Sequence, residues 1–302
     1  MAEETSDALS HLTVLYFETS AIRHLSEDRR HSGVRALLER EVERGLLCCV
    51  SVVTVEEIIT STNDASVRLA GLELARRLAP HHLIWEFQPI VRWWIKEPNP
   101  SSRRRCEVVT WDSVLPKLSE AATCPPTGLF TGRDQLRANE RAFRTAIVKQ
   151  LRKSRYVVER GAGRNWASRA NVLAEAQFLS EQELFRRRDY LTTLLRNVPD
   201  VTEDEVWNAR FSPWLRLYLR HLAIGVVRQL LCEHEESELQ GEAYDSLHLI
   251  FSSMARATVT DDAWLASALR PLSGVREFKP VAKSVANLPS FIARLPRPAS
   301  NR

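Results

Sequence analysis

Cysteine is scarce in this chain of 302 residues, and its few cysteines follow no known ligand or disulfide pattern. The sequence holds five, of which Cys48 and Cys49 are adjacent, and no pair has CxxC spacing. An odd number of cysteines without metal-ligand spacing argues against a disulfide framework and against a zinc site. We therefore expect reduced thiols, as in a cytoplasmic protein.

Long apolar segments and nucleotide-binding motifs are also missing. No stretch reaches the roughly 18 uncharged apolar residues of a membrane helix. The first residues, "MAEETSDALSH", lack the basic and apolar regions of a signal peptide. There is no Walker motif, and "GAGR" at 161–164 lacks the strand and helix that flank a phosphate-binding loop. These absences predict a cytoplasmic protein that neither associates with membranes nor hydrolyses nucleotides.

Charge divides the chain into an acidic part and a basic part. Residues 86–230 contain 25 Lys and Arg against 16 Asp and Glu, a net charge of +9, whereas the flanking residues contain 17 against 22, or −5. A long insertion costs little entropy when the two points that it joins are already close. The charge division therefore predicts an acidic domain built from residues 12–85 and 231–290, interrupted by a basic helical insertion at 86–230.

The two acidic parts show alternating strand and helix patterns. Strands are predicted at Val14–Phe17, at the β-branched run Val50–Val55, within "LIWEFQPI", at "TVT" (258–260) and at "VREFKP" (275–280). Helical periodicity separates them, as in "HSGVRALLEREVERGLL" and "DASVRLAGLELARRLAP". This alternation predicts an α/β fold with a parallel sheet flanked by helices. The insertion shows helical patterns along its length and is predicted to be all-helical.

Acidic residues follow the predicted strands. They are Glu18 after the first strand, Glu56 and Glu57 after the second, and Asp261 and Asp262 after "TVT". Asp245 stands at the start of a predicted helix that lies in the chain between the second strand and "TVT". Because parallel strands end at one edge of a sheet, four carboxylates are expected to converge there. They would repel one another unless a divalent cation neutralised them, and oxygen ligands suit Mg²⁺ or Mn²⁺. The alternative is that these residues only cap helices or begin loops.

Four segments resemble, in this order, the acidic motifs of PIN-domain nucleases: "LYFETSAI", "SVVTVEEI", "YDSLHLIFSSMA" and "TVTDDAWL". The resemblance covers about residues 12–85 and 235–285 and does not account for the insertion. It implies a PIN-like sheet and a metal-dependent endoribonuclease that leaves 5′-phosphate and 3′-hydroxyl ends. It also implies catalytic and metal-binding roles for Glu18, Glu57, Asp245 and Asp262, with hydroxyl contacts from Ser20 and Thr260. Glu18 departs from the usual Asp, and Glu56 is the alternative to Glu57.

Other functions remain open at this point. A PIN scaffold without catalysis would act as a nucleic-acid-binding or protein-interaction module. If the protein is a toxin or defence effector, an inhibitor protein would block its activity. Assembly into a homo-oligomer is a further possibility. The basic residues Arg152, Lys153 and Arg155 suit RNA phosphates, although a solvated helical face explains them equally well. For His248, helix packing is favoured over a phosphate contact. For the six tryptophans of the insertion, a helical core is favoured over base stacking.

Overall fold

The protein folds as a mainly parallel sheet with helices on both faces, which confirms the predicted α/β class. The computed structural model describes residues 14–60, 64–84, 87–96, 108–123, 131–154, 156–161, 163–195, 198–232, 242–270 and 281–295. The strands are β1 Val14–Phe17, β2 Leu47–Ser51, β3 Leu83–Ile84, β4 Val108–Val109, β5 Ala257–Val259 and β6 Ala282–Lys283. The predicted edge strand at 275–280 lies outside the described residues.

The six strands form one sheet in the order β4-β3-β2-β1-β5-β6. Strands β3, β2, β1, β5 and β6 are parallel to one another, and β4 pairs with β3 in the antiparallel direction. The chain runs from β1 to β2 and β3 on one side and returns to β5 and β6 on the other. The order therefore reverses at β1, and the carboxyl ends of β1, β2 and β5 lie next to one another.

Helices make up most of the structure. They are α1 Thr19–Glu27, α2 Ser32–Glu43, α3 Val52–Thr60, α4 Ala65–Leu78, α5 Gln88–Lys96, α6 Trp111–Thr123, α7 Thr131–Lys153, α8 Tyr156–Gly161, α9 Arg169–Leu179, α10 Arg188–Leu195, α11 Glu203–Asn208, α12 Pro213–Leu231, α13 Glu242–Ser252, α14 Ala263–Ala268 and α15 Leu288–Ile292. Short 3-10 turns lie at Arg29–His31, Ala209–Phe211 and Val285–Asn287, and a π turn lies at Ser180–Leu184.

Alternate residues of the central strands pack into two separate cores. Tyr16 of β1 and Cys49 of β2 belong to one, which we call the Tyr16 core, together with buried residues of α5, α7, α9, α10, α12, α13 and α14. Leu15 and Phe17 belong to the other, the Phe17 core, with buried residues of α1, α2, α4, α6 and α15. Strand β1 is thus buried on both faces, which explains its continuous apolar sequence.

The second strand is shorter than predicted, because a helix begins inside the predicted strand. The prediction for Val50–Val55 is wrong from its third residue onward, where α3 starts. The hydroxyl of Ser51 accepts a hydrogen bond from the Thr54 N–H at 3.3 Å, as a helix-capping side chain does. β-Branched residues favour strands locally. Here Val53 packs in the Tyr16 core and Val55 in the Phe17 core, so burial around the helix outweighs local preference.

The segment 86–230 is mostly helical, but the prediction that it is all-helical is wrong. Strand β4 pairs with β3, and the following helix α6 packs in the Phe17 core. The helices from α7 to α12 pack in the Tyr16 core, so their buried residues are continuous with those of the sheet. This segment is therefore joined to the sheet on both of its faces.

Helix α12 is the central helix of this layer and is buried along most of its length. Most of its residues are apolar, as expected for a helix in the interior of a protein, but it also carries arginines. Arg220 of α12 is only 6% exposed, and its Nη2 donates hydrogen bonds to the carbonyl oxygens of Ala268 and Arg270, the latter at 2.6 Å. These carbonyls lie at the end of α14 and just after it, so Arg220 connects α12 to the sheet unit.

Within the described ranges, no helix is both long and apolar enough to cross a membrane.

The tryptophans of segment 86–230 are packing residues, as predicted, but the two cores that they join include the sheet and are not a separate helical core. Trp94 and Trp214 stack in the Tyr16 core with ring centroids 6.2 Å apart. Trp111 lies in the Phe17 core, where its Nε1–H donates to the Ala79 carbonyl at 2.7 Å. The other described tryptophans of the segment, Trp93, Trp166 and Trp207, are partly buried against the Tyr16 core. Their burial favours a packing role over base stacking.

A buried carboxylate ties α8 to α9. Glu175 is fully buried, and Arg160 donates to both of its oxygens, at 2.9 and 2.8 Å. Arg164 donates to Oε2 at 2.8 Å, and the Tyr156 hydroxyl donates to Oε1 at 2.7 Å. Burial by itself raises the pKa of Glu175, but these partners outweigh it and lower the pKa below its ordinary value. Glu175 is therefore ionised and depends on its arginines for stability.

Candidate metal centre

The register of β1 and β5 brings two of the predicted site residues together. Phe17 pairs with Val259, and the N–H of Glu18 donates to the Val259 carbonyl at 3.1 Å. The next residues of the two strands, Glu18 and Thr260, are therefore neighbours. This edge is also where the strand order reverses, which is the usual position of ligand sites in open α/β sheets.

The Glu18 carboxylate is buried and held by three hydrogen bonds. Its Oε1 accepts from the Ser20 N–H at 2.9 Å, and its Oε2 accepts from the hydroxyls of Ser20 and Thr260, the latter at 2.9 Å. Burial raises the pKa of Glu18, and His248 and Ser20 offset part of this rise. A carboxylate offers about four acceptor positions. Glu18 is thus fixed in place and still able to bind a further group.

Glu57 reaches the same point from α3. Its Oε2 accepts hydrogen bonds from the Thr19 hydroxyl and from Nε2 of His248, the latter at 2.6 Å. Nε2 of His248 also lies 3.9 Å from Oε1 of Glu18. The side chain of Glu57 is 19% exposed, whereas that of His248 is 1% exposed. The site therefore opens to solvent on the side of Glu57.

The imidazole of His248 is held at both of its ring nitrogens. Its Nδ1 lies 2.5 Å from the Tyr16 hydroxyl, which lies 2.9 Å from the hydroxyl of Ser51. Burial by itself lowers the pKa of His248, but the charges of Glu57 and Glu18 and the Glu57 hydrogen bond outweigh burial and raise it. Burial also raises the pKa of Tyr16 well above its ordinary value, so its hydroxyl stays protonated.

Three side chains are thus placed to hold a metal ion. Glu18, Glu57 and His248 each offer one ligand atom, and these three atoms lie within 4.8 Å of one another. Two carboxylates facing each other in a largely buried position repel each other and are poorly solvated. A protonated His248 compensates part of this charge in the metal-free protein. A divalent cation bound in place of this proton would compensate both carboxylates.

Asp262 lies beside this group and caps a helix. Its Oδ1 accepts from the N–H groups of Trp264 and Leu265, both at 2.7 Å, and its own N–H donates to the Thr260 hydroxyl at 3.0 Å. The alternative prediction, that these acids only cap helices, therefore holds for Oδ1 of Asp262. The charge of Asp262 nevertheless acts on the site, because it is among the causes that raise the pKa of His248.

The two alternative acids have other positions. Asp261 accepts from the Val285 N–H at 3.1 Å and lies 2.7 Å from Nδ1 of His24, a half-exposed residue of α1. Glu56 is 6% exposed and does not belong to the group of ligand atoms found among the described residues. For the second motif, the structure thus brings Glu57 rather than Glu56 to Glu18.

The remaining predicted site residues are only partly described. Asp245 stands in α13 one turn before His248, but its side chain lies outside the described residues. Arg152 and Lys153 are exposed at the end of α7. Arg155, the third residue of the predicted RNA-binding group, lies outside the described residues.

Three residues of the site were not predicted from the sequence: Thr19, whose hydroxyl donates to Glu57, Tyr16, and His248, for which a packing role was favoured. In the structure His248 instead contacts Glu57 through a short hydrogen bond. A signal was present, because a residue three positions after Asp245 shares its helix face. Tyr16 gave no signal, since a tyrosine inside an apolar strand does not reveal which face it occupies.

The stability of the metal-free protein is expected to fall as pH rises, from about 4.5 upward for the part that Glu18 contributes and from about 6.5 upward for the part that His248 contributes. The pKa values of His248 and Glu18 are both raised, so the folded state binds protons more tightly than the unfolded state. Such groups stabilise the fold below their unfolded pKa values, and this stabilisation is lost as pH rises through the folded values. Urea unfolding in the presence of a chelator, at pH 6 and at pH 8, measures the loss.

The matched control is the Glu18→Gln/His248→Gln variant, because other titrating groups contribute equally to both proteins. Its free energy of unfolding should depend less on pH over the same interval. An equal pH dependence in the two proteins would show that these groups do not share protons as described.

Comparison with known proteins yields no relative. No protein-family model matches the chain, and no curated protein or solved structure matches it either. The resemblance to PIN-domain nucleases therefore depends on the four motifs, and any function must be argued from the geometry of Glu18, Glu57 and His248.

Proposed function

We propose that the protein is a divalent-metal-dependent endoribonuclease of PIN type, with Glu18 and Glu57 as metal ligands. The observation that carries the proposal is the meeting of two carboxylates, Glu18 at the end of β1 and Glu57 on α3, the helix that follows the neighbouring strand β2, with ligand atoms within 4.8 Å. Glu18 is buried and fixed, and Glu57 faces solvent. This arrangement would hold an ion from the buried side and leave its outer side open to a substrate.

The donor set fits the metals expected from the sequence. Carboxylate oxygens suit Mg²⁺ and Mn²⁺. Ser20 and Thr260 orient Glu18, and Thr19 orients Glu57. Asp245, one turn before His248, and Asp262, two residues after Thr260, complete the proposed acidic set by their positions in the chain.

Each group then has a role in phosphodiester hydrolysis. A divalent ion supplies the Lewis acidity that activates a water molecule and stabilises the leaving oxygen. Glu18 would anchor the ion on the buried side. Glu57, which is partly exposed, borders the opening through which a phosphate group enters. The hydrogen bonds to both acids keep the ligands oriented before substrate binds, which reduces the cost of reorganisation during the reaction.

The charge of the helical segment supports RNA as the substrate. A positive field beside an acidic site attracts a polyanion, and residues 86–230 carry a net charge of +9. The triple change Arg152→Gln/Lys153→Gln/Arg155→Gln should weaken RNA binding and reduce the salt dependence of log K by roughly 2, since each lost phosphate contact contributes about 0.7 for single strands. Filter binding at several salt concentrations measures this slope. Cleavage at saturating RNA should change little.

A matched control removes two positive charges from α2 and one from the residue that follows it, on the Phe17 side of the sheet. The variant Arg35→Gln/Arg40→Gln/Arg44→Gln should leave most of the salt slope intact. Equal slopes for the two triple variants would mean that RNA is attracted by overall charge alone. That result would reject a specific RNA-binding role for Arg152, Lys153 and Arg155.

A second candidate is a binding module on a catalytically inactive PIN scaffold. The short contact between His248 and Glu57 favours it, because that contact neutralises a carboxylate without any metal. Such a protein would bind RNA or a partner protein and would not cleave RNA under any metal condition.

Cleavage of an end-labelled single-stranded RNA tests the two candidates. The nuclease should cut in Mn²⁺ or Mg²⁺, stop cutting when a chelator is added, and resume when the metal is restored. Binding without cleavage in either metal would reject the nuclease and favour the inactive module.

A further inference from the structure

The two ring nitrogens of His248 face different groups. Nδ1 faces the Tyr16 hydroxyl at 2.5 Å. Nε2 faces three oxygens: those of Glu57 at 2.6 Å, of Thr19 at 3.4 Å and of Glu18 at 3.9 Å. Nε2 is thus directed into the space that the two carboxylates enclose, and the imidazole forms one wall of that space.

Tyr16 is placed to select the tautomer that a metal requires. A histidine that binds metal through one nitrogen donates the N–H of the other to an acceptor, which fixes the ring. The oxygen of Tyr16 can accept from Nδ1 because its own proton has another acceptor, the Ser51 hydroxyl at 2.9 Å. With the protons arranged in this way, the lone pair of Nε2 points toward Glu57 and Glu18.

The distances suit a single ion. Neighbouring ligand atoms at about 2.1 Å from an octahedral ion lie about 3 Å from each other. The separations from Nε2 to the nearest oxygens of Glu57 and Glu18, 2.6 and 3.9 Å, lie on either side of this value. Glu57 is the most exposed of the three side chains and has room to adjust.

We infer that Nε2 of His248 is a direct ligand of the ion, that Tyr16 is its positioning residue, and that the mixed nitrogen and oxygen site binds Mn²⁺ in preference to Mg²⁺. The inference rests on the proposed function for the presence of an ion at this site, but it does not require that RNA be the substrate. It also narrows the choice of metal, which the carboxylates alone leave open between Mg²⁺ and Mn²⁺.

The metal preference follows from the imidazole. Mg²⁺ binds oxygen ligands and keeps several of its water molecules, whereas an imidazole nitrogen suits first-row transition ions. Mn²⁺ accepts both oxygen and nitrogen ligands. A site with one imidazole therefore discriminates against Mg²⁺ in a way that a purely acidic site does not.

Pulsed electron paramagnetic resonance on the full chain loaded with Mn²⁺ tests the inference directly. A coordinated imidazole produces ¹⁴N modulation of the Mn²⁺ signal, and we expect this modulation in the wild-type protein and its loss in His248→Gln. Competition titrations should show at least about tenfold tighter binding of Mn²⁺ than of Mg²⁺ in the wild type, with most of that ratio lost in His248→Gln. Tyr16→Phe should keep the modulation and weaken Mn²⁺ binding about 10- to 100-fold.

The outcomes separate this inference from the proposed function. Mn²⁺ that binds without ¹⁴N modulation, and with a Mn²⁺/Mg²⁺ ratio unchanged in His248→Gln, would overturn the inference and leave the carboxylate site standing. Mn²⁺ binding that is unaffected by Glu18→Gln and Glu57→Gln would overturn both. If His248→Gln does not fold, the wild-type spectrum and the Tyr16→Phe titration decide the question alone.

Discussion

Replacing Glu57 by Gln is expected to lower RNA cleavage by at least about 100-fold, while the protein remains folded. Loss of a residue that merely supports a metal ligand costs about 10- to 100-fold, and Glu57 is proposed as a ligand itself. Gln has nearly the same shape, and its oxygen can still accept hydrogen bonds from Thr19 and His248. The loss therefore reports the missing charge. Single-turnover cleavage of end-labelled RNA in Mn²⁺ measures it, and circular dichroism verifies the fold.

The neighbouring residue supplies the control. Glu56 is also buried, at 6% exposure, and lies outside the described group of ligand atoms. Glu56→Gln should therefore cleave RNA at nearly the wild-type rate. If the two variants lose activity equally, or if Glu57→Gln keeps it, Glu57 is not a ligand of a catalytic ion.

Replacing Arg160 by Met is expected to destabilise the fold by about 3–5 kcal/mol, because it removes two of the three hydrogen bonds that arginines donate to the buried Glu175 carboxylate. Met keeps an unbranched apolar stem but lacks the guanidinium, whose carbon lies 4.0 Å from the centroid of the Phe178 ring. Thermal unfolding should show a Tm lower by roughly 6–12 °C. Arg187 forms an exposed ion pair with Asp189 at 2.9 Å and supplies the control. Arg187→Met should lower the free energy of unfolding by less than about 1 kcal/mol.

A double-mutant cycle identifies the cause. In Arg160→Met/Glu175→Leu the buried charge is gone, and Arg164, which is 42% exposed, is free to reach solvent. The double variant should therefore be more stable than Arg160→Met alone. If the stability losses of Arg160→Met and Glu175→Leu simply add in the double variant, the loss in Arg160→Met comes from packing. It then does not come from the unpaired charge of the Glu175 carboxylate.

Elements with a strong local signal were predictable from the sequence. Strand β1 is a continuous apolar run because it is buried on both faces. Glu18 and Thr260 could be placed together because parallel strands end at the same edge of a sheet. The contact between these two residues, at 2.9 Å, follows from the β1–β5 register.

Features decided by tertiary contacts were not predictable. The β-branched run after Val50 has strand preference, and only its burial between two cores makes it helical. The charge of segment 86–230 describes its surface and says nothing about its interior, which is continuous with the sheet. Strand β4 contains two residues, too few for a period to show. The packing role of His248 was predicted from its position in its own helix. Its hydrogen-bond partners, Tyr16 and Glu57, come from β1 and α3.

The most direct measurement is a crystal structure of the protein soaked in Mn²⁺, with anomalous diffraction recorded for manganese. The account predicts an anomalous peak within about 2.2 Å of a carboxylate oxygen of both Glu18 and Glu57, and the absence of that peak in crystals of Glu18→Gln/Glu57→Gln. A wild-type crystal that cleaves RNA when dissolved but shows manganese only at other positions, or no bound manganese at all, would contradict it.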